Sequence, residues 1–255
     1  MENSKTLVSI ITVSFNSVKT IEKTILSVLN QTYKNIEYII IDGGSTDGTI
    51  DIIKKYQDKI KYWISEKDEG IYDAMNKGTL IANGYYLNFM NSDDFFFSNT
   101  TIGECIPFLD GKYDIVYGDV EVRYDDFKFI KKKLSPKYLW MGPANHQSSF
   151  IKRETMLKYK YNTLNKMVAD FEFFLTVHYN QGKLLKINKT IASYSSNGIS
   201  SINDTRVIKD CYKTIIKFDK SLKIKIFYKI LLIKPWVKKI LPHDAIKFIT
   251  TKIFN

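Results

Sequence analysis

Two runs near the N-terminus limit the fold more than anything else in the chain. Residues 7–13 read LVSIITV and residues 36–41 read IEYIII. Both are rich in β-branched side chains and lack a regular polar alternation. A run of this kind is a strand covered on both faces, and such strands belong to parallel sheets with helical crossovers on either side. Between the two runs, Ile21, Ile25, Val28 and Leu29 recur at helical spacing, so a helix with one apolar face links the strands. The pattern then repeats. A helix is expected over Ile50–Tyr56 and a strand over Tyr62–Ser65. Ile71, Ala74, Met75, Leu80 and Ile81 form a further helix stopped by Asn83-Gly84, followed by a strand over Tyr85–Met90. Alternating strands and helices with right-handed crossovers predict an α/β sheet flanked by helices on both faces.

Each strand ends in small polar or acidic residues. The first ends in Ser14-Phe15-Asn16-Ser17 and the second in Asp42-Gly43-Gly44-Ser45. The third runs into Glu66, Asp68 and Glu69, and the fourth into Asn91-Ser92-Asp93-Asp94. Ligands of open α/β sheets bind at the carboxyl ends of strands. Neither G-x-G-x-x-G nor G-x-x-x-x-G-K-[ST] is present, so a standard dinucleotide domain and a P-loop are disfavoured. A rim of carboxylates suits a metal ion, hydroxyl groups and a base edge better than bare phosphate. Asp93 and Asp94 repel one another unless a cation or donors satisfy them. They either hold a hard divalent ion such as Mg2+ or Mn2+ or form a solvated turn. Asp42 and Asp68 either stabilise their own loops or meet a ligand, and Gly43 allows close backbone approach.

Beyond Asp94 the pattern is mixed. Tyr113–Val122 reads as one long strand or a pair, with Gly118 inside it. Residues 128–137 hold five lysines and Pro136 and are expected to be an exposed loop. His146–Ile151 reads as a strand, Asp170 opens a helix, and Lys183–Ile191 is another strand. Ser195–Ser201, which includes Gly198 and Ser200, reads as a flexible loop able to close over a ligand.

The net charge of +11 is concentrated at one end. From Arg206 onward 13 basic residues face three acids, against 25 and 24 in the first 205. That shift sets the expected domains at residues 1–205 and 206–255. The basic tail is expected to be helical and broken at Pro235. It fits lying on an anionic membrane surface, or capping the body with a solvated lysine face. A nucleic-acid patch has no motif to support it. The two cysteines lack metal spacing. Neither a secretory leader nor an 18-residue apolar span is legible.

Six strings in order, VSIITVSFN, IDGGSTDGT, SEKDEGIYDAMNKG, LNFMNSDD, HQSSF and NGISS, resemble the inverting glycosyltransferases of family 2, nearest to the bacterial polysaccharide-assembly enzymes of colanic-acid type. The strings cover residues 7–201. The resemblance implies a GT-A fold, a Rossmann-like mixed, mainly parallel sheet, followed here by the basic helical tail. It implies that Thr12, Val13, Ser14 and Asn16 line the nucleotide, that Asp42 with Gly43 meets the base, and that Asp68 meets the ribose region. Asn91, Ser92, Asp93 and Asp94 match the Asp-x-Asp element, with Asp93 and Asp94 as metal ligands. Asn91 stands where many members have the first Asp. Asp170 matches the catalytic base, with Glu172 as the fallback, and His146 lies near the acceptor or the diphosphate. A helix-start acid with only a capping role remains the other reading of Asp170.

The expected activity is that of a metal-dependent hexosyl- or N-acetylhexosaminyl-transferase using Mn2+ or Mg2+. It would take a nucleotide-sugar, a UDP-sugar by preference, to a glycan or lipid-linked acceptor in bacterial surface polysaccharide synthesis. The expected location is cytoplasmic, peripheral on the inner face of the cell membrane. A nucleotidyltransferase of similar fold and a non-catalytic membrane-binding module are the alternatives.

Overall fold

A computed structural model describes residues 6–142, 144–195 and 205–237. The two apolar runs form β1 (Val8–Ser14) and β2 (Ile36–Asp42), buried along nearly their whole length. They pair in parallel from Val8 opposite Ile36 to Ser14 opposite Asp42. One acid lies inside the second run. Glu37 accepts from Ser9 Oγ at 2.8 Å and from the Asn83 N–H at 2.7 Å, so its charge is satisfied within the protein. The same contact fixes the Asn83-Gly84 turn.

Helices α1 (Ile21–Leu29), α2 (Thr49–Lys55) and α3 (Ile71–Ile81) cross between the strands, and β3 (Tyr62–Ser65) and β4 (Tyr86–Phe89) complete the parallel half. A Cβ on Gly78 of α3 would come within 2.5 Å of Ile11 Cγ2. The bare glycine therefore lets this helix pack directly on β1.

The second half of the sheet is mixed. It contains β5 (Phe95–Phe96), β6 (Ile115–Arg123), β7 (Lys128–Lys131), β8 (Ser149–Lys152) and β9 (Leu184–Ser195). The strand order is β3-β2-β1-β4-β8-β6-β9-β5, with β7 paired to β6. One edge of β6 changes partner midway. Ile115–Tyr117 pair with β8, and Val120–Arg123 pair with β7. The change falls at an irregularity around Gly118, where a Cβ would meet the Lys189 carbonyl at 2.3 Å. Helices α4 (Thr101–Cys105), α5 (Arg153–Tyr159) and α6 (Ala169–Tyr179) flank this half. Strands, helices and mixed sheet agree with the α/β class expected.

Three local expectations need correction. Part of the lysine-rich stretch is strand β7, because the far half of β6 presents an edge that needs a partner. His146–Ser148 is a short 3-10 turn, and the strand begins only at Ser149. In the tail, α7 (Thr205–Ile215) and α8 (Leu222–Val237) are separated well before Pro235, which lies within α8. The break comes where Asp219 Oδ1 accepts the Ser221 N–H at 2.8 Å, a local turn that competes with helix.

The chain divides into two compact units, Met1–Ile199 and Ser200–Asn255. Within the second, Tyr212 and Tyr228 stack with centroids 5.6 Å apart, and Ile224, Phe227 and Tyr228 form the buried stripe of α8. The loop expected at Gly198 and Ser200, and the tail beyond Val237, lie outside the described residues. Among the described residues no helix is long and apolar enough to cross a membrane.

Candidate active site

Parallel pairing puts the carboxyl ends of β3, β2, β1 and β4 side by side in that order. Their polar termini therefore form one rim. Asp42, at the end of β2, is fully buried. Its Oδ1 accepts from Ser14 Oγ and Ser45 Oγ, and its Oδ2 from the N–H groups of Gly44 and Ser45 and from Ser65 Oγ. A carboxylate has about four lone-pair sites, and these donors fill them. Burial pushes the Asp42 pKa up, but the hydrogen bonds from Ser45, Ser65 and Ser14 outweigh it, and the net direction is down. Asp42 knots β1, β2 and β3 together, with both carboxylate oxygens turned onto protein donors where the family resemblance implies contact with the base.

The first loop is likewise turned largely into protein. Thr12 is fully buried, with its hydroxyl on the Met90 carbonyl at 2.7 Å and beside Tyr38 Oη. Val13 and Ser14 are each only 5% exposed, and Ser14 faces Asp42. What reaches solvent is Phe15, 63% exposed, and Asn16. Asn16 has a positive φ of 46° and clamps the second loop, donating its N–H to Ser45 Oγ and accepting the Thr46 N–H. A Cβ on Gly43 would lie 2.6 Å from Asp68 Oδ2 and 3.4 Å from the Phe15 ring. The space over Gly43 is thus occupied by the Asp68 carboxylate, which also accepts the Gly70 N–H at 2.8 Å. Phe15, Gly43 and Asp68 make a wall with an exposed aromatic ring and a carboxylate.

The fourth loop is a tight turn in which the Asp94 N–H bonds the Asn91 carbonyl at 2.9 Å. Thr24 of α1 donates to the Asp94 carbonyl at 2.7 Å, and Ser92 donates to Ser17 at 2.8 Å. Arg123 donates to the Asp93 carbonyl at 2.7 Å, and its guanidinium and the Lys23 ammonium both lie over the Phe95 ring. The Asp93 side chain is exposed and that of Asp94 is buried. Asp94 accepts from Gln147 Nε2 at 2.9 Å. Burial pushes its pKa up to about 6, against the opposing pull of His146 and Gln147.

This donor set fits a hard divalent ion. Asp94 is a buried acid held mainly by a neutral amide, and Asn91 Oδ1 and Gln147 Oε1 are buried oxygens without a hydrogen-bond partner. Among the described residues no three His, Cys, Asp or Glu side chains converge. Asp94, Asn91 Oδ1 and Gln147 Oε1 are oxygen groups of the kind such ions accept alongside substrate phosphates and water.

Asp170 is in the first turn of α6, where its Oδ1 accepts the Phe171 N–H at 2.8 Å and the Tyr72 hydroxyl at 3.4 Å. Its Oδ2 lies 3.5 Å from His146 Nδ1, and His146 Nε2 lies 2.8 Å from the Asn91 amide. With that amide donating, Nε2 is the acceptor and Nδ1 bears the proton that faces Asp170. His146 thus bridges the β4 turn and the start of α6. Glu172, the fallback base, is turned toward Asn162 and Asn165.

Sequence reasoning missed several neighbours. Tyr72 sits on the predicted helix α3 but was not distinguished from core residues. Gln147 carries no signal of its own in the sequence beyond its place next to His146. Lys133 is buried, and its Nζ contacts Asn145 Oδ1. Burial and nearby Lys131 push Lys133 down to about 7, against the charges of Asp170 and Asp119. Phe15 could have been found, since a large aromatic in a polar strand-end loop has no core to enter.

Comparison with known proteins bears on the family and the fold. The family described as Glycosyl transferase family 2 matches residues 9–175. The chain is 28% identical over 240 residues to the PGL/p-HBAD biosynthesis glycosyltransferase of Mycobacterium bovis, covering 91% of each chain. Staphylococcus aureus TarS 1-349 in complex with UDP-GlcNAc superposes with a TM-score of 0.64 at 16% identity, over 89% of this chain and 70% of that one. The mannosyltransferase PcManGT from Pyrobaculum calidifontis, in complex with GDP-Man and Mn2+, superposes with a TM-score of 0.69 at 14% identity, over 98% and 80%. These structural likenesses are to the GT-A fold.

Proposed function

The chain belongs to glycosyl transferase family 2 and is a glycosyltransferase, and from that premise we propose that it transfers one hexosyl or N-acetylhexosaminyl unit from a UDP-sugar, with inversion, to a hydroxyl of a glycan or lipid-linked oligosaccharide. The observation that carries this reading is the line of contacts from Asn91 through His146 to Asp170. It joins the oxygens of the β4 turn to a carboxylate in the first turn of α6.

Asp170 takes the proton from the acceptor hydroxyl. The acceptor oxygen forms a bond to the anomeric carbon as the bond from that carbon to the diphosphate oxygen breaks, and the electron pair leaves on the diphosphate. His146 and Tyr72 hold Asp170 in position. Asp93 and Asp94, with Asn91 Oδ1, would hold a divalent ion, which when bound supplies neutralisation of the charge on the departing diphosphate. Phe15 offers a face for the base and Asp68 an acceptor for a ribose or base donor. Asn16, Asp42 and Ser92 keep the loops in register. The donor class is supported by the UDP-GlcNAc and GDP-Man complexes of the structural neighbours. Residues 1–205 are the catalytic domain in this reading, and the basic tail rests on the inner face of the cell membrane, beside a lipid-linked acceptor.

The test is UDP release by purified full-length protein from UDP-glucose, UDP-galactose, UDP-GlcNAc and UDP-GalNAc, with and without Mn2+. Asp170→Asn is expected to lower turnover by about 100- to 10,000-fold while donor binding is retained. Unchanged turnover in that variant refutes the base. Full activity in both Asp93→Ala and Asp94→Ala refutes the metal assignment.

A further inference from the structure

The hairpin between β6 and β7 carries a cluster of rings that the fold leaves half in water. Its turn, Tyr124-Asp125-Asp126-Phe127, is closed by the Tyr124 N–H on the Phe127 carbonyl at 2.8 Å. Tyr124 and Phe127 lie 4.5 Å apart and 8° from parallel, and Phe129 lies 6.2 and 6.4 Å from them, within 19° of parallel. The three rings remain 41, 58 and 44% exposed. One cross-strand aromatic pair is enough to stabilise a hairpin. Three co-oriented, half-exposed rings beside an edge strand are a liability for non-specific association unless a partner covers them.

We infer that this face is a platform for the saccharide chain of the acceptor, beyond the sugar that receives the new unit; the inference rests on the reading of the acceptor as a glycan. Three observations lead there. Near-parallel rings present electron-rich faces, and the C–H faces of pyranose rings carry the complementary partial charge. Asp125 and Asp126 are exposed at the turn between the rings, and carboxylates accept hydrogen bonds from sugar hydroxyls. The platform is also continuous with the site, because Arg123, which immediately precedes Tyr124, donates to the Asp93 carbonyl at 2.7 Å.

The experiment measures binding of maltohexaose, cellohexaose and chitohexaose, and of their monosaccharides, to the full-length protein by saturation-transfer NMR and calorimetry. At least one hexaose is expected to bind about tenfold or more tightly than its monosaccharide. Phe127→Leu/Phe129→Leu, which keeps apolar bulk without rings, removes that advantage. Its melting temperature and its Mn2+-dependent UDP-sugar hydrolysis stay at wild-type level. Phe127→Ala/Phe129→Ala gives the same loss. No preference for any hexaose, or an undiminished preference in the Leu variant, overturns the inference. So does a variant that keeps hexaose binding and loses sedimentation with phosphatidylcholine–phosphatidylglycerol vesicles, an outcome that assigns the face to lipid. Hexaose binding by a wild-type protein that hydrolyses no UDP-sugar overturns the proposed reaction and supports the platform.

Discussion

Asp94 concentrates the chemistry of the rim in one side chain. Its burial raises the carboxyl to about 6, so the folded chain binds that proton more tightly than the unfolded chain does. By linkage, this group makes the metal-free protein lose stability as pH rises from the ordinary carboxylate range through about 6. Asp94→Asn is therefore expected to raise the melting temperature near neutral pH, by the equivalent of about 3 kcal/mol, with the gain shrinking toward pH 4 where the wild type is itself protonated. Thermal melts across pH check this, and an equal gain at both ends would show that the charge is not the cause. Added Mn2+ should stabilise the wild type at neutral pH and leave Asp94→Asn unmoved. At the same scale, a place at a strand end does not fix which way a side chain turns. Thr12 and Asp42 stand at the right places in the chain, yet both have their polar atoms turned into protein.

Among the elements, the adjacent ends of β1, β2 and β3 depend on the Asp42 knot. Asp42→Ala leaves several buried donors without their shared acceptor, a loss of about 3 kcal/mol. Urea denaturation measures it, and a change below about 0.5 kcal/mol would mean that the loops hold their register without the carboxylate. Gly118 has the same importance for the mixed half. A methyl group there meets the Lys189 carbonyl and Ile191, so Gly118→Ala should cost about 2 kcal/mol and loosen the point where β6 exchanges β8 for β7. Hydrogen exchange in β7 reports that loosening directly, and unchanged protection would count against it.

At the scale of the whole molecule, charge and burial divide the work of the tail. The apolar stripe of α8, Ile224, Phe227 and Tyr228, is buried within the protein, while Lys223 and Lys225 are exposed. Leu222 and Ile226 of the same helix are also exposed, so attachment to a membrane would combine charge with apolar contact. Reversing Lys223, Lys225 and Lys229 to Glu is expected to weaken sedimentation with anionic vesicles by about tenfold or more, at about 1 kcal/mol for each basic residue near the surface. Raised salt should weaken the wild type in the same direction. Vesicle binding indifferent to both changes would rule out an electrostatic anchor.

The sequence by itself determined the parallel half of the sheet and the rim. A run such as IITV has only one way to bury both faces, and the polar residues after it must then emerge at the strand's carboxyl end. It also determined the family, through strings that keep their order along the chain. It did not determine the lysine-rich β7, the 3-10 turn at His146 or the break in the tail, because these depend on which edges and donors the rest of the chain leaves free. Nor could it decide between contact and support among the site residues. Asp42 and Asp68 sit in similar loops, but only one of them is surrounded by serine hydroxyls drawn from three strand ends. The bridge from Asn91 through His146 to Asp170 spans some eighty positions of sequence and exists only once the sheet brings β4, the turn before β8 and α6 together. Side-chain direction and desolvation are set by neighbours distant in the chain, so the tertiary structure alone decided which of the predicted carboxylates are enclosed by protein donors.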